Sequence, residues 1–330
     1  MKRVVLLSAS LAAALACSGG AAAENKVMRV SHQLPPAHHI AKLMETWAAD
    51  VEGRSGGTID LQILGADQAF KPNENFPAVA QGQIEAALSV NFQWGNTIPE
   101  MNVTLIPYAF TELDAIEKFP GSEAAKLLEG KLEEKGVRNL AWLFTTRQSI
   151  FTSSGKALIA PADFEGIKIR GLNKLVDNAL IAVGAAPAAM PGSEVYQALQ
   201  TQVIDAGLTD VSAAYSRKYY EVQEFGTVTP FFTVYFHLYG NPAWLDGLDA
   251  EQREAVMSAS AKAEVDSIPL TEQTADEALG QLKEKGMKVH VHSAAEAKAF
   301  ADVMRPPVEK AFLEASPDDG ARLIDMLGKL

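Results

Sequence analysis

The chain has 330 residues, of which 48% are apolar, 21% charged and 8% aromatic, with one cysteine and a formal net charge of −12. This length fits roughly two domains of about 100–200 residues each, and the composition excludes a disordered or collagen-like protein. The acidic balance argues against a nucleic-acid-binding protein, which would carry a basic surface. A single cysteine excludes an intrachain disulfide framework and a multi-thiolate zinc site.

The N-terminal segment has the pattern of a secretory signal. Basic residues at positions 2 and 3 precede an apolar run over 4–17, and small residues follow up to Ala23. The run is shorter than the roughly 20 residues that a membrane-spanning helix needs. We therefore expect cleavage near Ala23 and a soluble protein in the periplasm. A lipid anchor on Cys17 is the alternative, although Ala14 stands where lipoprotein signals usually have leucine.

The chain up to residue 144 alternates predicted strands and helices. Apolar residues mark the strands, and apolar residues three or four positions apart mark the helices. This alternation is typical of a mostly parallel α/β sheet, whose ligand crevices lie at the carboxyl ends of the strands. The predicted strands are 27–31, 58–64, 84–90 and 139–144, and the predicted helices are 39–53, 75–81 and 123–135.

A second α/β unit is predicted beyond residue 145. It ends in a long strand, 227–239, and a long helical stretch, 250–282, which we expect Pro269 to kink or break. Elements of this length indicate two lobes joined by several chain crossings, which would act as a hinge. The remaining predicted elements are extended segments at 147–152, 167–170, 208–210 and 288–291 and helices at 175–183, 194–204 and 294–313.

The segment over residues 164–171 is the most informative part of the sequence. Two isoleucines alternate there with Lys168 and Arg170, so the two basic side chains point away from the apolar face of the strand. Arg170 comes where the strand is predicted to end, and its guanidinium offers a planar fork of donors suited to a carboxylate. An ordinary surface ion pair with Glu165 or Asp177 is the alternative, and the residues alone leave both open.

A second arginine, Arg147, follows the apolar strand 140–144 among hydroxyl and amide groups. Two arginines that face one crevice would repel each other unless an anion lay between them. Arg147 and Arg170 could equally occupy different faces and never meet.

The sequence contains neither a nucleophile elbow nor a glycine-rich phosphate loop after a strand. The adjacent residues His38 and His39 cannot share a face as a metal pair. His290 and His292 could share a strand face, but no third ligand is near them in the sequence. We therefore expect no metal site and no cofactor.

Five segments carry a family resemblance when they are taken in order. They read EMNVTLIPYAF, TRQSIFTS, ADFEGIKIRGLNK, GAAPAAMPGSEVYQALQTQVIDAGLTD and YYEVQEF. In order and spacing they resemble the periplasmic solute-binding proteins of TRAP (tripartite ATP-independent periplasmic) transporters, the DctP family. The resemblance runs through essentially all of the chain after the predicted signal.

The resemblance implies a two-lobed α/β protein of the Venus-flytrap type, with hinge strands and a long helix shared by both lobes. Such a protein closes on a small organic anion and delivers it to the TRAP membrane permease subunits, acting in most members as a monomer. Arg170 matches the principal carboxylate-binding arginine of the family, and Arg147 matches a second one. The further pocket candidates are Asp210, Asn91, Gln33, Phe92 and Trp94, of which the two aromatic residues could instead serve only in packing.

The resemblance also implies the division into lobes. After a signal peptide at 1–23, lobe I would comprise 24–144 with about 236–275. Lobe II would comprise 145–235 with about 276–330.

Two departures from the family pattern bear on the ligand. Asp210 stands where many members have asparagine, so it would face a ligand hydroxyl or a positive group and repel a second carboxylate. Gly192 replaces a bulkier residue and would leave room for a ligand larger than a four-carbon acid. The preferred ligand is therefore a hydroxylated monocarboxylate such as a sugar acid, with a C4-dicarboxylate as the alternative.

Two other functions are alternatives to import of a solute. A secreted hydrolase would use Glu194 and Asp210 as acid and base, but the sequence offers no histidine beside a nucleophile and no oxyanion device. A sensory receptor would bind the same ligand to signal, and the sequence does not separate that role from transport.

Overall fold

The computed structural model describes residues 25–330 and shows two α/β lobes, each built around one β-sheet. The predicted signal segment, with Cys17 and the cleavage position near Ala23, lies outside the described residues. The strands are β1 (Lys26–His32), β2 (Ile59–Leu64), β3 (Ala86–Val90), β4 (Arg138–Thr146), β5 (Ser149–Ser153), β6 (Lys168–Gly171), β7 (Ala186–Ala189), β8 (Ala206–Asp210), β9 (Phe225–Thr229), β10 (Val234–Gly240) and β11 (Lys288–Val291).

The helices surround these sheets and were mostly predicted from apolar spacing, although α5 and α6 are shorter than expected. They are α1 (His39–Arg54), α2 (Pro72–Ala80), α3 (Leu113–Lys118), α4 (Glu123–Glu134), α5 (Asn178–Ala182), α6 (Val195–Gln200), α7 (Val211–Ser216), α8 (Pro242–Asp246), α9 (Ala250–Glu284), α10 (Ala294–Ala315) and α11 (Gly320–Leu327). Short 3₁₀ turns cover Asn91–Trp94, Pro99–Leu105, Pro161–Phe164 and Tyr219–Glu221.

Each sheet is mostly parallel, as expected, and contains one reversed strand because the chain crosses between the lobes. The lobe I sheet has the order β2-β1-β3-β10-β4, and the lobe II sheet has the order β11-β9-β5-β8-β6-β7. Strand β10 runs antiparallel to both β3 and β4, and β5 runs antiparallel to both β8 and β9. These two antiparallel strands are the ones that follow a crossing, β4 to β5 and β9 to β10.

The predicted long strand 227–239 is therefore wrong as a single element. It is two strands in different sheets, β9 in lobe II and β10 in lobe I. Pro230 separates them, and proline has no backbone N–H to continue a ladder. The apolar residues on both sides of Pro230 read as one run in the sequence because both strands are buried.

Helix α9 is shared by both lobes and has 35 residues. It packs on α1 and β4 of lobe I and on α7 and β11 of lobe II. Three of its side chains bond to the backbone of β4, an edge strand: Glu264 accepts from the Trp142 N–H (2.7 Å), Ser267 from the Phe144 N–H (3.0 Å), and Thr271 donates to the Phe144 carbonyl (2.7 Å). These bonds satisfy strand groups that have no neighbouring strand.

Pro269 lies inside α9 and does not break it. The proline deprives one carbonyl, that of Val265, of its helical partner. Val265 is 68% exposed, so water can bond that carbonyl, while the contacts with β4 hold the helix on both sides of the proline. The packing of α9 on β4 thus outweighs the tendency of Pro269 to break the helix.

The C-terminal part of the chain departs from the predicted lobe division. Helix α10 packs on α5 of lobe II and also on the 3₁₀ turn Pro99–Leu105 of lobe I, and α11 packs on that turn and on α4. The chain end therefore lies on lobe I, whereas 276–330 was assigned as a whole to lobe II. Within residues 25–330, no helix is long and apolar enough to cross a membrane.

Candidate ligand site between the lobes

A pocket lies where strand ends of the two sheets face each other. Its lining comes from the carboxyl ends of strands in both lobes, which is where an α/β fold leaves a crevice. The polar residues lining it are Gln33, His38, Thr145 and Thr146 from lobe I and Arg170, Thr209, Asp210 and Arg217 from lobe II.

Arg170 lies at the end of β6 and is only 3% exposed. Its Nη1 donates to the Leu208 carbonyl (2.7 Å) and its Nε to the Met190 carbonyl (3.3 Å), so neutral backbone groups fix the guanidinium without neutralising it. Burial lowers the pKa of Arg170 to about 10, which leaves it cationic at neutral pH. The structure thus places a buried positive charge at the pocket.

The alternative surface ion pair of Arg170 does not form. Among residues 25–330, no carboxylate lies within ion-pair distance of Arg170. Asp177 instead accepts the Leu172 N–H through Oδ1 (2.7 Å), and burial raises its pKa to about 6. The Cζ of Arg170 lies 5.6 Å from the centre of the Phe92 ring, a cation–π arrangement across the two lobes.

Arg217, at the end of α7, is a pocket residue that the sequence analysis missed. Its Nε is buried and has no hydrogen-bond partner, and no carboxylate of the described residues forms an ion pair with it. A Cβ at position 192 would collide with the Arg217 guanidinium. The room left by Gly192 is therefore filled by this guanidinium and is not spare space for a larger ligand.

Asp210 lies at the end of β8 and lines the pocket. Its Oδ1 accepts the Ala213 N–H (2.6 Å) and caps α7. Burial raises the pKa of Asp210, whereas this backbone hydrogen bond and the charges of Arg217 and Arg170 lower it. The carboxyl group gives the pocket an acceptor within the electrostatic influence of two cations.

Lobe I contributes polar groups that have no protein partner. Gln33 Oε1 and the Thr145 hydroxyl are buried without a hydrogen bond. His38 Nδ1 accepts the Ile40 N–H (3.2 Å), and burial and nearby positive groups hold the pKa of His38 well below its usual value. The ring is thus neutral and carries its proton on Nε2. That N–H is also buried without a partner, so it is a donor available to a ligand.

The apolar part of the wall includes one of the two predicted aromatic residues. Phe92 lines the pocket together with the aliphatic and aromatic side chains of Val90, Leu172, Leu208, Phe232, Val234 and Phe236.

Trp94 and Asn91 do not line this pocket. Trp94 packs inside lobe I against Phe76 (ring centroids 4.5 Å apart) and Tyr239 (5.4 Å). The Asn91 amide donates to the Met101 carbonyl (3.2 Å) and the Thr104 hydroxyl (2.9 Å). Both positions directly follow β3, but the 3₁₀ turn there directs them into the core of the lobe.

Arg147 is also not brought to the pocket. Its Nε lies 3.0 Å from Glu272 Oε1 and its Nη2 lies 2.6 Å from Glu272 Oε2, and Nη1 donates to the Thr111 carbonyl (3.3 Å). Hydrogen bonding to Glu272 raises the pKa of Arg147. The predicted pair of cleft arginines is therefore corrected: an acid of α9 holds Arg147, and the second guanidinium at the pocket is Arg217.

The residues described offer no metal centre, since no group of three or more potential ligands forms in 25–330. His292 Nε2 lies 3.0 Å from the Ile159 carbonyl, and His290 Nε2 lies 3.0 Å from Glu296. The two histidines thus have separate protein partners.

A two-lobed α/β fold with a charged pocket between its lobes is the architecture of the Venus-flytrap type. Residues 30–315 match the family described as bacterial extracellular solute-binding protein, family 7, or DctP. The chain belongs to this family, whose characterised members are transport proteins rather than enzymes.

Relatives and solved structures agree with this assignment. The chain is 30% identical to the C4-dicarboxylate-binding periplasmic protein DctP of Rhodobacter capsulatus, over 91% of this chain and 90% of that protein. It is 28% identical to the 2,3-diketo-L-gulonate-binding periplasmic protein YiaO of Escherichia coli K12, over 83% of each. A TRAP periplasmic solute-binding protein from Sulfitobacter sp. NAS-14.1, solved with bound β-D-galacturonate, has the same fold (TM-score 0.85, 22% identity, 92% of this chain and 100% of that one).

Proposed function

We propose that this chain is a periplasmic receptor that binds a small hydroxylated monocarboxylate, such as a sugar acid, and delivers it to the permease subunits of a TRAP transporter. Arg170 holds the ligand carboxylate, and the protein acts as a monomer. Relatives named for C4-dicarboxylates and for 2,3-diketo-L-gulonate support an organic acid as the ligand.

The observation that carries this proposal is the state of Arg170. A guanidinium that is 3% exposed and has no acidic partner among the described residues is costly to bury. An anion that enters the pocket would supply the missing charge and form charge-assisted hydrogen bonds, worth about 1.5–3 kcal/mol.

The charges that line the pocket favour a monoanion. Arg170 and Arg217 are cationic, and Asp210 supplies one carboxylate near them. An ionised Asp210 leaves one positive charge in excess, which one ligand carboxylate balances. Hydroxyl groups of the ligand can donate to Asp210 and Gln33 and accept from His38.

Closure of the lobes follows from this division of groups. The cations belong to lobe II, whereas the unpartnered groups of Gln33, His38 and Thr145 belong to lobe I. A ligand that contacts both sets binds the closed form more tightly than the open form and shifts the equilibrium towards closure. The net charge of −12 does not prevent anion capture, because charges beyond a Debye length of about 8 Å are screened at physiological ionic strength.

A thermal-shift screen over sugar acids, keto acids and dicarboxylates tests the proposal. A ligand at a hundredfold excess over its Kd stabilises the protein by about 2.7 kcal/mol. The variant Arg170→Met should lose this stabilisation, whereas the control Arg29→Met, which breaks an ion pair with Glu85 outside the pocket, should keep it. An acid that stabilises wild type and Arg170→Met equally would contradict the role of Arg170.

A C4-dicarboxylate is the second candidate ligand. Arg217 is a second guanidinium without an ion pair in the described part of the chain, and it could hold a second carboxylate. Tighter binding of succinate than of any sugar acid in calorimetry would favour this candidate. Uptake of the labelled acid into vesicles that carry the cognate permease separates transport from a purely sensory role.

A further inference from the structure

A second cavity, which we name the distal compartment, lies next to the pocket and shares two lining residues with it. Gln33 and Arg217 line both cavities. The remaining lining of the distal compartment consists of Pro35, Ala66, Asp67, Ser193 and Tyr196. The side chains of Gln33 and Arg217 are thus within reach of both cavities.

Asp67 supplies an unpaired acceptor on the lobe I side of this compartment. It lies in the loop between β2 and α2 with a left-handed backbone (φ 60°), as does Ala66 (φ 53°). Residues other than glycine rarely adopt this conformation, so the loop geometry is imposed by its surroundings. The Oδ1 atom of Asp67 is buried and has no hydrogen-bond partner.

Arg217 supplies donors on the lobe II side. Gly192 leaves the space that its guanidinium occupies, and any side chain at 192 would displace it. Burial raises the pKa of Asp67, and a hydrogen bond with Ser193 and the charge of Arg217 oppose that rise, but Asp67 and Arg217 do not form an ion pair within 4 Å. The two groups thus face one space without satisfying each other.

We propose that the distal compartment is a subsite for the hydroxyl groups of the ligand tail, with Arg217 as donor and Asp67 and Gln33 as acceptors. A hydroxyl group both donates and accepts, so neighbouring hydroxyls can bond to all three side chains. A second carboxylate could bond to Arg217 but would face the negative charge of Asp67, and an alkyl tail would leave all three polar groups unpaired.

This inference rests on the proposed function and sharpens its ligand to a polyhydroxylated monocarboxylate. Arg170 and Asp67 then recognise opposite ends of one molecule. Asp67 and Arg217 become specificity-determining residues, and Arg170 remains the carboxylate anchor.

Calorimetry with four acids of six carbons tests the subsite. D-galacturonate and D-gluconate carry hydroxylated tails, hexanoate carries an apolar tail, and adipate carries a second carboxylate. We expect wild type to bind at least one of the two sugar acids ten times more tightly than hexanoate or adipate. Asp67→Ala should weaken the sugar acid at least tenfold and change hexanoate less than threefold, and it should improve adipate because a repelling charge is gone.

Arg217→Met should also weaken the sugar acid at least tenfold. Matched control variants are Asp302→Ala and Arg54→Met, which alter surface ion pairs with Lys298 and Asp50 and leave both cavities intact. These controls should bind as wild type does, and circular dichroism should show all four variants folded.

The outcomes separate this inference from the proposed function. If the sugar acid binds through Arg170 but Asp67→Ala changes sugar acid and hexanoate by the same factor, the subsite is wrong and the receptor function stands. If adipate binds wild type more tightly than either sugar acid, the subsite is also wrong and the dicarboxylate candidate gains. If none of the four acids binds to wild type, and Arg170→Lys changes nothing in the wider screen, both proposals are overturned.

Discussion

Arg170 and Arg147 come from two similar stretches of sequence and have opposite surroundings in the fold. Each is an arginine at or just after the end of an apolar strand, β6 or β4. Arg170 is 3% exposed and bonded only to backbone carbonyls, whereas the Arg147 side chain is 28% exposed and bound by both carboxylate oxygens of Glu272. The difference comes from α9, which lies beside β4 and has no counterpart beside β6.

The comparison shows that strand position alone does not define an anion site. What defines it is the absence of an acid within reach of the guanidinium, and this depends on residues far away in the sequence. Glu272 is 125 residues from Arg147. An arginine already neutralised by the protein gains little from a ligand, whereas one without an acid gains a full ion pair.

Exchanging each arginine for lysine should give the largest contrast, because lysine keeps the charge but loses the planar fork. Arg170→Lys should weaken binding of the ligand at least tenfold, which corresponds to about 1.4 kcal/mol. Arg147→Lys should change the affinity less than threefold. Isothermal titration calorimetry measures both, and equal losses for the two variants would restore Arg147 as a ligand residue.

Arg147 should instead matter for stability. Arg147→Met leaves Glu272, whose side chain is 27% exposed, without its cation. Since the pair is partly buried, we expect the free energy of unfolding to fall by about 2 kcal/mol, between the values for exposed and buried pairs. Chemical denaturation measures this change. The double variant Arg147→Met with Glu272→Met should recover part of the loss, and no recovery would show that the pair is not the cause.

Glu264 also lies on α9, about two turns before Glu272. It contacts β4, and Glu272 contacts Arg147, which directly follows β4. Unlike Glu272, Glu264 has no cation partner among the described residues. Burial raises its pKa to about 7. A raised pKa means that the folded state holds the proton of Glu264 more tightly than the unfolded state does. The contribution of this proton to stability is complete below the pKa of the unfolded state, about 4.3, and is lost as the pH rises through about 7.

Glu264→Gln removes this dependence and can still accept the Trp142 N–H. The variant should therefore be more stable than wild type by about 1–2 kcal/mol at pH 8 and nearly equal to it at pH 5. Urea unfolding at the two pH values tests this. An equal difference at both pH values would show that Glu264 is ionised in the fold throughout.

The smallest expected effect concerns the selectivity of the Arg170 pocket for a sugar acid over a dicarboxylate. Asp210→Asn keeps the cap on α7, because asparagine and aspartate cap equally well, but its side chain cannot carry a negative charge near the two pocket guanidiniums. The affinity ratio of sugar acid to dicarboxylate should fall about fivefold, which corresponds to about 1 kcal/mol. Titrations of D-galacturonate and succinate against both proteins measure the ratio, and an unchanged ratio would show that Asp210 does not sense the ligand charge.

Much of the fold was predictable from the sequence because its elements follow local patterns. The amphipathic spacing of α1 and α4 and the alternation in β2 survive in the structure nearly residue for residue. The break at Pro230 and the continuity at Pro269 were not predictable in this way. In each case the sheet or helix that packs against the segment decides the outcome.

Pocket residues could be proposed from the sequence only where the position of a single residue at a strand end indicates its location. Arg170, Asp210, Gln33 and Phe92 each follow or end a strand and line the pocket. Arg217 was missed because an arginine near the end of a short helix resembles any surface arginine. The one sequence feature that relates to Arg217 is the absence of a side chain at Gly192. That feature can be interpreted only from the structure, where the two residues are in contact.

Helix α9 has a consequence for how this protein can be divided. At 1.5 Å per residue its 35 residues form a rod of roughly 50 Å that gives apolar surface to both sheets. A fragment that ends anywhere within this helix would leave apolar surface of one sheet exposed. Neither lobe could therefore fold as a separate domain. The two lobes should unfold together in one cooperative transition, even though each lobe has its own sheet.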